Sequence, residues 1–532
     1  MDAGGNPNLN DMQSPSMRAP DRSGAAAGVV SQRSAEALAK QNRHKSRWAV
    51  LAMTCFGLFG QFYAYDNPST LYSAMRERFK DDANFDLHFN MLYSFYSIPN
   101  IILPLVCGIL IDRIGIKLSV LVLASLVATG GGLVVLGAHQ TSWPLMLLGR
   151  ALFGVGGESL QVAQNALLFS YFEGAEIALA LGLNLSIARM GSSVNAVSTP
   201  WIATLCDNNP VVPFAVGWLL CLASSFANVG SVWREYFGRQ GGLDDEEVSL
   251  NMITKLTRPY WFLTALCVLM YGAILPFNNI AQPLFIATAY SSEATTIASL
   301  HASRASAWMF AISAIATPIF GHMVDRFGRR PALLAVSATL LTATHGTMML
   351  LNPYMASVQL GAVYTVFAAA LWPSIALVVN KNSLGTAYGV CVCLQNIGLA
   401  SIPILVGDLQ QHADNATGVD GKLTAYGEIE KFFTLLSFIS TALAWTLYFE
   451  SGPLAALNLP SGAQNKAISK DAPKLAGSSA SPGKDGENSF DEEEREETLP
   501  LKAGNLVPAE VPGLTGGAST TASEYGSGGY SS

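Results

Sequence analysis

The sequence predicts an all-α membrane protein with twelve transmembrane helices in two six-helix, pseudo-symmetric bundles. Half of its 532 residues are apolar and only 13% are charged, and its mean hydropathy is +0.32. A soluble domain normally carries about a quarter charged residues, so a membrane is the solvent that this composition fits. The apolar runs fall into two sets of six, and one loop motif occurs once in each set.

Apolar runs near the length of a membrane span, roughly 20 residues, set the element boundaries. In the first set they begin near Trp48, Phe89, Leu118, Trp143, Ile177 and Val212. In the second set they begin near Pro259, Ile297, Pro331, Tyr354, Thr386 and Phe432. These runs predict an N-terminal bundle at 47–237, a cytosolic linker at 238–257 and a C-terminal bundle at 258–450. Residues 1–46 and 451–532 are polar and rich in small residues, and the second stretch is acidic, so we expect disordered cytosolic tails there.

The distribution of lysine and arginine predicts the orientation. Loops between alternate spans are rich in basic residues, and the positive-inside rule then places both termini in the cytosol. A glycosylation sequon, Asn415-Ala416-Thr417, falls in the last outer loop of this arrangement. We therefore expect a glycan on Asn415.

Several functional classes find no support in the sequence. The seven cysteines lie in or beside apolar runs without the spacing of metal ligands, so neither a metal site nor a cofactor is predicted. No basic stripe with interleaved aromatic residues indicates nucleic acid. No catalytic motif such as His-Glu-x-x-His is present, and we do not expect an enzyme.

An internal repeat relates the two bundles. Gly108-Ile-Leu-Ile-Asp-Arg-Ile-Gly-Ile-Lys117 recurs as Gly321-His-Met-Val-Asp-Arg-Phe-Gly-Arg-Arg330, in the loop after the second span of each half. Matching halves are typical of transporters that rock about a site at their interface. The motif resembles the hallmark loop of the major facilitator superfamily, whose fold the twelve spans would then adopt. We expect its acidic and basic residues to act as conformational latches: Asp112, Arg113, Asp325 and Arg326.

Ionisable residues inside the spans mark candidate binding positions, because buried charge in a membrane is costly and usually functional. Glu158 and Arg189 fall near the middle of successive spans. One interpretation is a structural ion pair between these two spans. The other is a pair of separated poles that bind a zwitterion, with Trp372, Gln395 and Asn396 closing from the other half.

Arg150 precedes Gly154, Gly156 and Gly157 on the fourth span. This arrangement resembles a superfamily motif tied to proton coupling. The alternative is that the glycines allow close helix packing. Two histidines and one arginine of the second half are expected to be packing or interfacial residues: His301, Arg304 and His345.

Longer blocks resemble one family, that of the major facilitator superfamily domain-containing protein one. They are Tyr65-Asp-Asn-Pro68, Gly154-Val-Gly-Gly-Glu-Ser159, Ser186-Ile-Ala-Arg-Met-Gly191, Ala370-Leu-Trp-Pro373, Leu384-Gly-Thr-Ala-Tyr-Gly389 and Gln395-Asn-Ile-Gly398. The resemblance implies a uniporter that moves dipeptides, including cationic ones, from the lysosome lumen to the cytosol. It also implies a glycosylated accessory membrane subunit.

The same resemblance assigns roles to residues. Glu158 would take the amino end of the peptide and Arg189 its carboxylate, with Tyr65 and Asp66 in the substrate-binding set. The acidic dileucine signal of the family has no match in residues 1–47. The resemblance implies a lysosomal or vacuolar membrane, and the missing signal leaves the plasma membrane as the alternative.

Two other functions stay open at this point. One is a proton-coupled transporter for another small solute, with Arg150 or Asp66 carrying the proton. The other is a nutrient-sensing receptor that has kept the transporter fold.

Overall fold

The computed structural model describes residues 22–172, 175–235, 253, 256–379, 384–415, 418–450 and 455–460. Within those residues the chain is helical and contains no strand. The helices of the first half are α1 (Arg22–Thr70), α2 (Tyr72–Arg78), α3 (Phe85–Ser97), α4 (Leu103–Ile114), α5 (Ile116–His139), α6 (Trp143–Tyr171), α7 (Ala175–Leu205) and α8 (Val211–Glu235). Those of the second half are α9 (Arg258–Ala289), α10 (Thr295–Phe327), α11 (Arg330–Thr347), α12 (Pro353–Val378), α13 (Leu384–Asn415), α14 (Gly418–Phe449) and α15 (Ala455–Asn458).

Twelve long helical segments in the described ranges correspond to the twelve predicted spans. They are α1, the pair α3–α4 joined by a 3₁₀ turn at Pro99–Ile101, and each helix from α5 to α14. Eight of these helices, α5 and α8 to α14, are long and apolar enough to cross a membrane. Most begin within a few residues of the predicted position. The exceptions are α1, which begins at Arg22 rather than near Trp48, and α14, which begins at Gly418 rather than near Phe432. In both helices the first turns are polar, and hydropathy marks only the apolar part.

Two segments differ from the predicted disordered tails. The first helix begins at Arg22, inside the tail expected at 1–46, since this stretch is rich in alanine and other good helix formers. In the tail expected at 451–532, α15 is ordered and the Leu457 side chain is fully buried. The backbone N–H of Arg329 donates to the Asn458 carbonyl at 3.2 Å, which ties α15 to the start of α11.

Each half has its own apolar core, and a few helices join the halves. We call the half formed by α1–α8 the N half and that formed by α9–α15 the C half. In the N half, α1 packs on α7 and α8, and α5 packs on α6 and α8. In the C half, α10 packs on α12, and α14 packs on α9 and α11. Between the halves, α7 packs against α10 and α3 packs against α13. The interface that these four helices frame is where a site shared by both halves must lie.

The repeated loop motif places a glycine with a positive φ at the same position in both halves. Gly115 ends α4 with φ 81° and Gly328 ends α10 with φ 67°. This left-handed region is readily open to glycine and rarely to other residues. Both copies therefore turn the chain directly into the next helix, and the repeat is one of structure as well as sequence.

The two ends of the bundle hold different contacts. We call "tail end" the side that holds the Arg47–Glu176 and Arg258–Glu450 ion pairs, at 2.6 Å and 3.1 Å. We call "far end" the opposite side, which holds residues 71–84 and 407–412.

Candidate functional site

Glu158 of α6 faces the C half. Its Oε2 accepts a hydrogen bond from Nδ2 of Asn396 on α13, at 3.1 Å. The Asn396 side chain is buried, and its Oδ1 atom has no hydrogen-bond partner. Gln395 is half-buried on the same helix, about 100° around the helix axis from Asn396. The carboxylate of Glu158 therefore meets a neutral amide across the interface.

Arg189 of α7 also reaches across the interface, to α10. Its Nη1 donates to Oγ of Ser313 and to Oγ1 of Thr317, each at 2.5 Å. Its guanidinium carbon lies 4.4 Å from the ring centroid of Tyr364 on α12, within the range of a cation–π interaction. The side chain is 2% exposed, and its Nε has no hydrogen-bond partner. A buried cation is thus held by two hydroxyls and an aromatic face, with one donor left over.

The two charges do not pair with each other. Among the described residues no salt bridge joins Glu158 to Arg189, and each makes its hydrogen bonds to neutral groups of the C half. The interpretation as a structural ion pair therefore does not describe this structure. The arrangement is that of two separated poles, each of which could exchange its neutral partner for a charged one.

Aromatic side chains of the C half connect the Arg189 pole to Trp372. The ring of Tyr364 packs edge-on against Tyr271 at 5.8 Å. The hydroxyl of Tyr271 accepts a hydrogen bond from Nε1 of Trp372 at 2.9 Å, and Tyr388 stacks on Trp372 at 6.1 Å. These rings form a wall of apolar faces with polar edges beside the poles.

Arg150 sits in a cage of aromatic rings. Its guanidinium lies 4.8 Å from the ring centroid of Tyr65 and 5.0 Å from that of Tyr93. Its Nη1 donates to the carbonyl of Tyr65 and its Nε to that of Leu92, both at 3.0 Å. Arg150 therefore ties α6 to α1 and α3. Gly154 fits the packing interpretation, because an added Cβ would lie 2.1 Å from the carbonyl oxygen of Tyr96.

Asp66 lines a small polar cavity between the halves. The cavity volume is about 10 Å³, roughly what one water molecule needs. Helices α1 and α7 contribute one side of the lining, and α9 and α10 contribute the other. The lining residues are Asp66, Ser69, Thr70, Ser192, Ala196, Asn278, Gln282, Ser303, Ser306 and Phe310. Asp66 thus lies at the interface, in a cavity smaller than a dipeptide.

Amide side chains close the far end. Gln282 of α9 donates to the Thr70 carbonyl at 2.8 Å and accepts from the Ser73 backbone N–H at 3.1 Å. Gln410 of α13 accepts from Asn90 at 3.0 Å. Gln411 accepts from the Asp86 backbone N–H at 3.3 Å and donates to the Ala83 carbonyl. The described hydrogen bonds between the halves thus lie at the far end and at the level of the two poles.

The predicted latch residues lie at the repeated loops. Asp112 and Arg113 are in α4, and their side chains lie outside the described residues. Asp325 pairs within its own half, with Nη2 of Arg330 at 3.4 Å. Arg326 is exposed beside Phe327. Their role as latches stays a prediction.

The remaining predicted residues lie away from the poles. Asn415 is the last residue of α13, but its side chain and the rest of its sequon lie outside the described residues. His345 is buried, with Nδ1 at 3.0 Å from Oε2 of Glu430 in the C-half core. His301 lies 2.8 Å from Glu293 at the start of α10, and Arg304 is exposed.

The structure adds four residues that the sequence did not single out: Ser313, Thr317, Tyr364 and Tyr271. Ser313 and Thr317 are four positions apart on α10, a spacing that puts both hydroxyls on one helix face. That spacing is a signal, but a weak one, because serine and threonine are common in membrane helices and usually bond to their own backbone.

The Major Facilitator Superfamily model matches residues 54–403. Curated relatives described as "Lysosomal dipeptide transporter MFSD1" are 33% identical in human over 387 residues, 34% in mouse over 391 and 34% in cattle over 399. The alignments cover 70%, 70% and 72% of this chain and 81%, 82% and 82% of those proteins, respectively.

Solved structures support the fold. The crystal structure of the nucleoside transporter NupG superposes with a TM-score of 0.57 at 15% identity, covering 74% of this chain and 98% of that one. A mutant of the same transporter gives 0.58 at 14% identity, covering 75% and 100%. At such low identity the likeness concerns the arrangement of helices alone.

Proposed function

The chain belongs to the major facilitator superfamily and, within it, to the family of the lysosomal dipeptide transporter MFSD1, and we propose that it carries dipeptides across a membrane by alternating access. It is a multi-pass membrane transporter and not an enzyme. The observation that carries the substrate assignment is the pair of poles. A half-buried anion, Glu158, and a buried cation, Arg189, each make their described hydrogen bonds to neutral groups of the opposite half.

A dipeptide matches these poles because it carries an ammonium at one end and a carboxylate at the other. Glu158 would bind the ammonium, and Arg189 would bind the carboxylate through its planar, bidentate donors. The charged ends of a dipeptide would stabilise Glu158 and Arg189 better than their neutral partners in this structure, the Asn396 amide and the Ser313 and Thr317 hydroxyls. The unpartnered Nε of Arg189 and Oδ1 of Asn396 are further polar atoms that a peptide could satisfy.

The other residues of the predicted set would contact the middle of the peptide. Trp372 and its aromatic neighbours offer apolar faces that accept varied side chains. Gln395, Tyr65 and Asp66 offer polar groups, and the carboxylate of Asp66 suits dipeptides with a cationic side chain. Broad recognition of dipeptides through their constant ends follows from this division.

The conformational cycle is also part of the proposal. The hydrogen bonds of Gln282, Gln410 and Gln411 close the far end, which is the lumenal side if both termini are cytosolic. Opening this end and closing the tail end through the repeated loops would give alternating access. We propose uniport from lumen to cytosol at the lysosomal membrane, with a glycosylated accessory subunit, because the family resemblance implies each of these.

The test is counterflow of labelled L-alanyl-L-alanine by the purified protein in liposomes. We expect uptake against unlabelled dipeptide inside, competition by other dipeptides, and no competition by nucleosides or sugars. Insensitivity of the flux to an imposed pH gradient is expected for uniport, whereas acceleration by the gradient would favour proton coupling at Arg150 or Asp66. Binding of dipeptides without counterflow would instead favour a receptor.

A further inference from the structure

Each pole is held by groups that resemble one end of the proposed substrate. Asn396 presents an N–H donor 3.1 Å from the Glu158 carboxylate, as an ammonium would. Ser313 and Thr317 present two oxygens to one nitrogen of Arg189, as a carboxylate would. All three belong to the C half, while both charges belong to the N half.

The hydroxyls are arranged as acceptors. Thr317 donates its own hydrogen to the Ser313 carbonyl at 2.6 Å, which leaves its oxygen lone pairs for Arg189. Oγ of Ser313 lies 3.0 Å from Oγ1 of Thr365, and that hydroxyl also lies 2.8 Å from the Gly361 carbonyl. Because the carbonyl can only accept, Ser313 can donate to Thr365 and keep its lone pairs for Arg189. The pair is therefore organised to receive hydrogen bonds from a cation, unlike serine and threonine residues that only cap their own helix.

On the basis of the function proposed above, we propose that Ser313, Thr317 and Asn396 act as an internal surrogate of the substrate that lets the unloaded carrier reorient. A buried charge that loses its partner without gaining another is strongly disfavoured. Reorientation passes through an arrangement closed to water at both ends, so both poles need partners throughout. The dipeptide supplies them in the loaded carrier, and the surrogate supplies them in the empty one.

This assignment separates two kinds of flux. Net efflux into a solution without substrate requires the empty carrier to return. Exchange of labelled for unlabelled dipeptide needs only the loaded carrier to cross. Loss of the surrogate should therefore slow net efflux and spare exchange, whereas loss of a substrate ligand should slow both.

The experiment uses full-length protein in liposomes with labelled L-alanyl-L-alanine. For Ser313→Ala/Thr317→Ala we expect net efflux to fall at least about tenfold, the size expected for losing hydrogen bonds to a charged group. Counterflow should stay within about twofold of the unsubstituted protein. Thr317→Ala alone should give an intermediate loss of net efflux, and Ser313→Thr/Thr317→Ser, which keeps both hydroxyls, should restore it.

The matched control is Ser337→Ala/Thr344→Ala on α11. Both residues are buried, and their hydroxyls bond only to carbonyls of their own helix, Leu334 and Leu340. We expect it to change neither flux. An equal fall of efflux and counterflow in the Ser313/Thr317 variant would place the hydroxyls in substrate binding and overturn the proposal, as would unchanged net efflux. Absence of counterflow in the unsubstituted protein would contradict the proposed function instead.

Discussion

The N half and the C half contribute differently to the interface between them. From the N half come both charges, Glu158 and Arg189. From the C half come an amide, two hydroxyls and an aromatic wall. The backbone repeat is nevertheless preserved down to the positive φ of the two loop glycines. The scaffold is thus symmetric where the chain must turn and asymmetric where a ligand would bind.

This difference places the charged groups on one side of the site and the neutral hydrogen-bonding groups, which can change partners, on the other. Charges fixed in one half keep their spacing while the halves move, so they can recognise constant ends of a ligand. Neutral groups in the other half can exchange partners at lower cost, because an uncharged hydrogen-bonding group loses less on desolvation than an ion. Movement between the halves then changes the partners of the poles and not the poles themselves.

The largest effect is expected from removing the poles. Arg189→Ala and Glu158→Gln should each lower dipeptide counterflow roughly 100-fold, since truncating one partner of a buried charged pair typically costs several kcal/mol. The two variants should also differ in the peptide terminus that they no longer recognise: the carboxylate in Arg189→Ala and the ammonium in Glu158→Gln. Competition by L-alanyl-L-alanine amide should equal that by the free dipeptide only in Arg189→Ala, and N-acetylation should cease to matter only in Glu158→Gln.

Matched charge removals away from the interface provide the control for this prediction. Arg304→Ala and Glu293→Gln alter exposed or half-buried residues near the start of α10. We expect near-normal counterflow and an intact preference for both free ends. If Arg189→Ala still rejected the amide, the N half would not supply the carboxylate pole and the comparison between the halves would fail.

A smaller effect is expected at the far end, where the described hydrogen bonds between the halves are made by neutral groups. Gln410→Ala/Gln411→Ala removes hydrogen bonds from α13 to the start of α3. A neutral hydrogen bond contributes about 1 kcal/mol, so losing those of two amides should raise the population with an open far end roughly 30-fold. Distances between spin labels at the exposed positions 81 and 412 would report the shift.

The control for the far end is Gln140→Ala, which removes an exposed amide from the N half alone. Its distance distribution should match that of the unsubstituted protein. An unchanged distribution in the double variant would show that these amides do not hold the far end closed. In that case the contacts of Glu158 and Arg189 with the C half, rather than those at the far end, would determine whether the far end is open or closed in the unloaded protein.

Much of the fold was predictable because a helix that crosses a membrane needs a run of roughly 20 apolar residues, which is easy to recognise in a sequence. Apolar runs located the starts of most spans, and the repeated glycine motif located equivalent turns at Gly115 and Gly328. Hydropathy failed where helix continues into polar sequence. The first helix extends back to Arg22 and α14 begins at Gly418, because helix formation needs backbone hydrogen bonds and not apolar side chains.

The charged part of the site was also predictable, and its neutral part was not. Ionisable residues are rare inside spans, so Glu158 and Arg189 stood out. Ser313 and Thr317 did not, because hydroxyl residues are frequent in such helices and their partners depend on which helices meet. Only the packing of α7 against α10 shows that their oxygens face Arg189. Pairing across an interface is a tertiary property that spacing along one helix does not encode.

The smallest effect is expected for a charge whose partners all lie in its own half. Asp82, between α2 and α3, lies outside the spans, and its Oδ2 lies 2.7 Å from Nδ1 of His88 and from Nε1 of Trp143. Partial burial raises the pKa of Asp82, but hydrogen bonds from His88, from the Asn84 backbone N–H and from Trp143 together hold it below its ordinary value.

A depressed carboxyl pKa stabilises the folded state above the unfolded pKa, and the stabilisation is lost as pH falls through the folded one. Asp82→Asn should therefore lower the Tm of the detergent-purified protein by about 2–4 °C at pH 7. The deficit should persist at pH 5 and shrink only below pH 4, near the ordinary aspartate pKa. Asp81→Asn, an exposed neighbour, is the control and should not shift Tm. The partners of Asp82 among the described residues all lie in the N half, so counterflow should stay near normal at both pH values. A large transport defect would mean that charges confined to the N half also control movement between the halves.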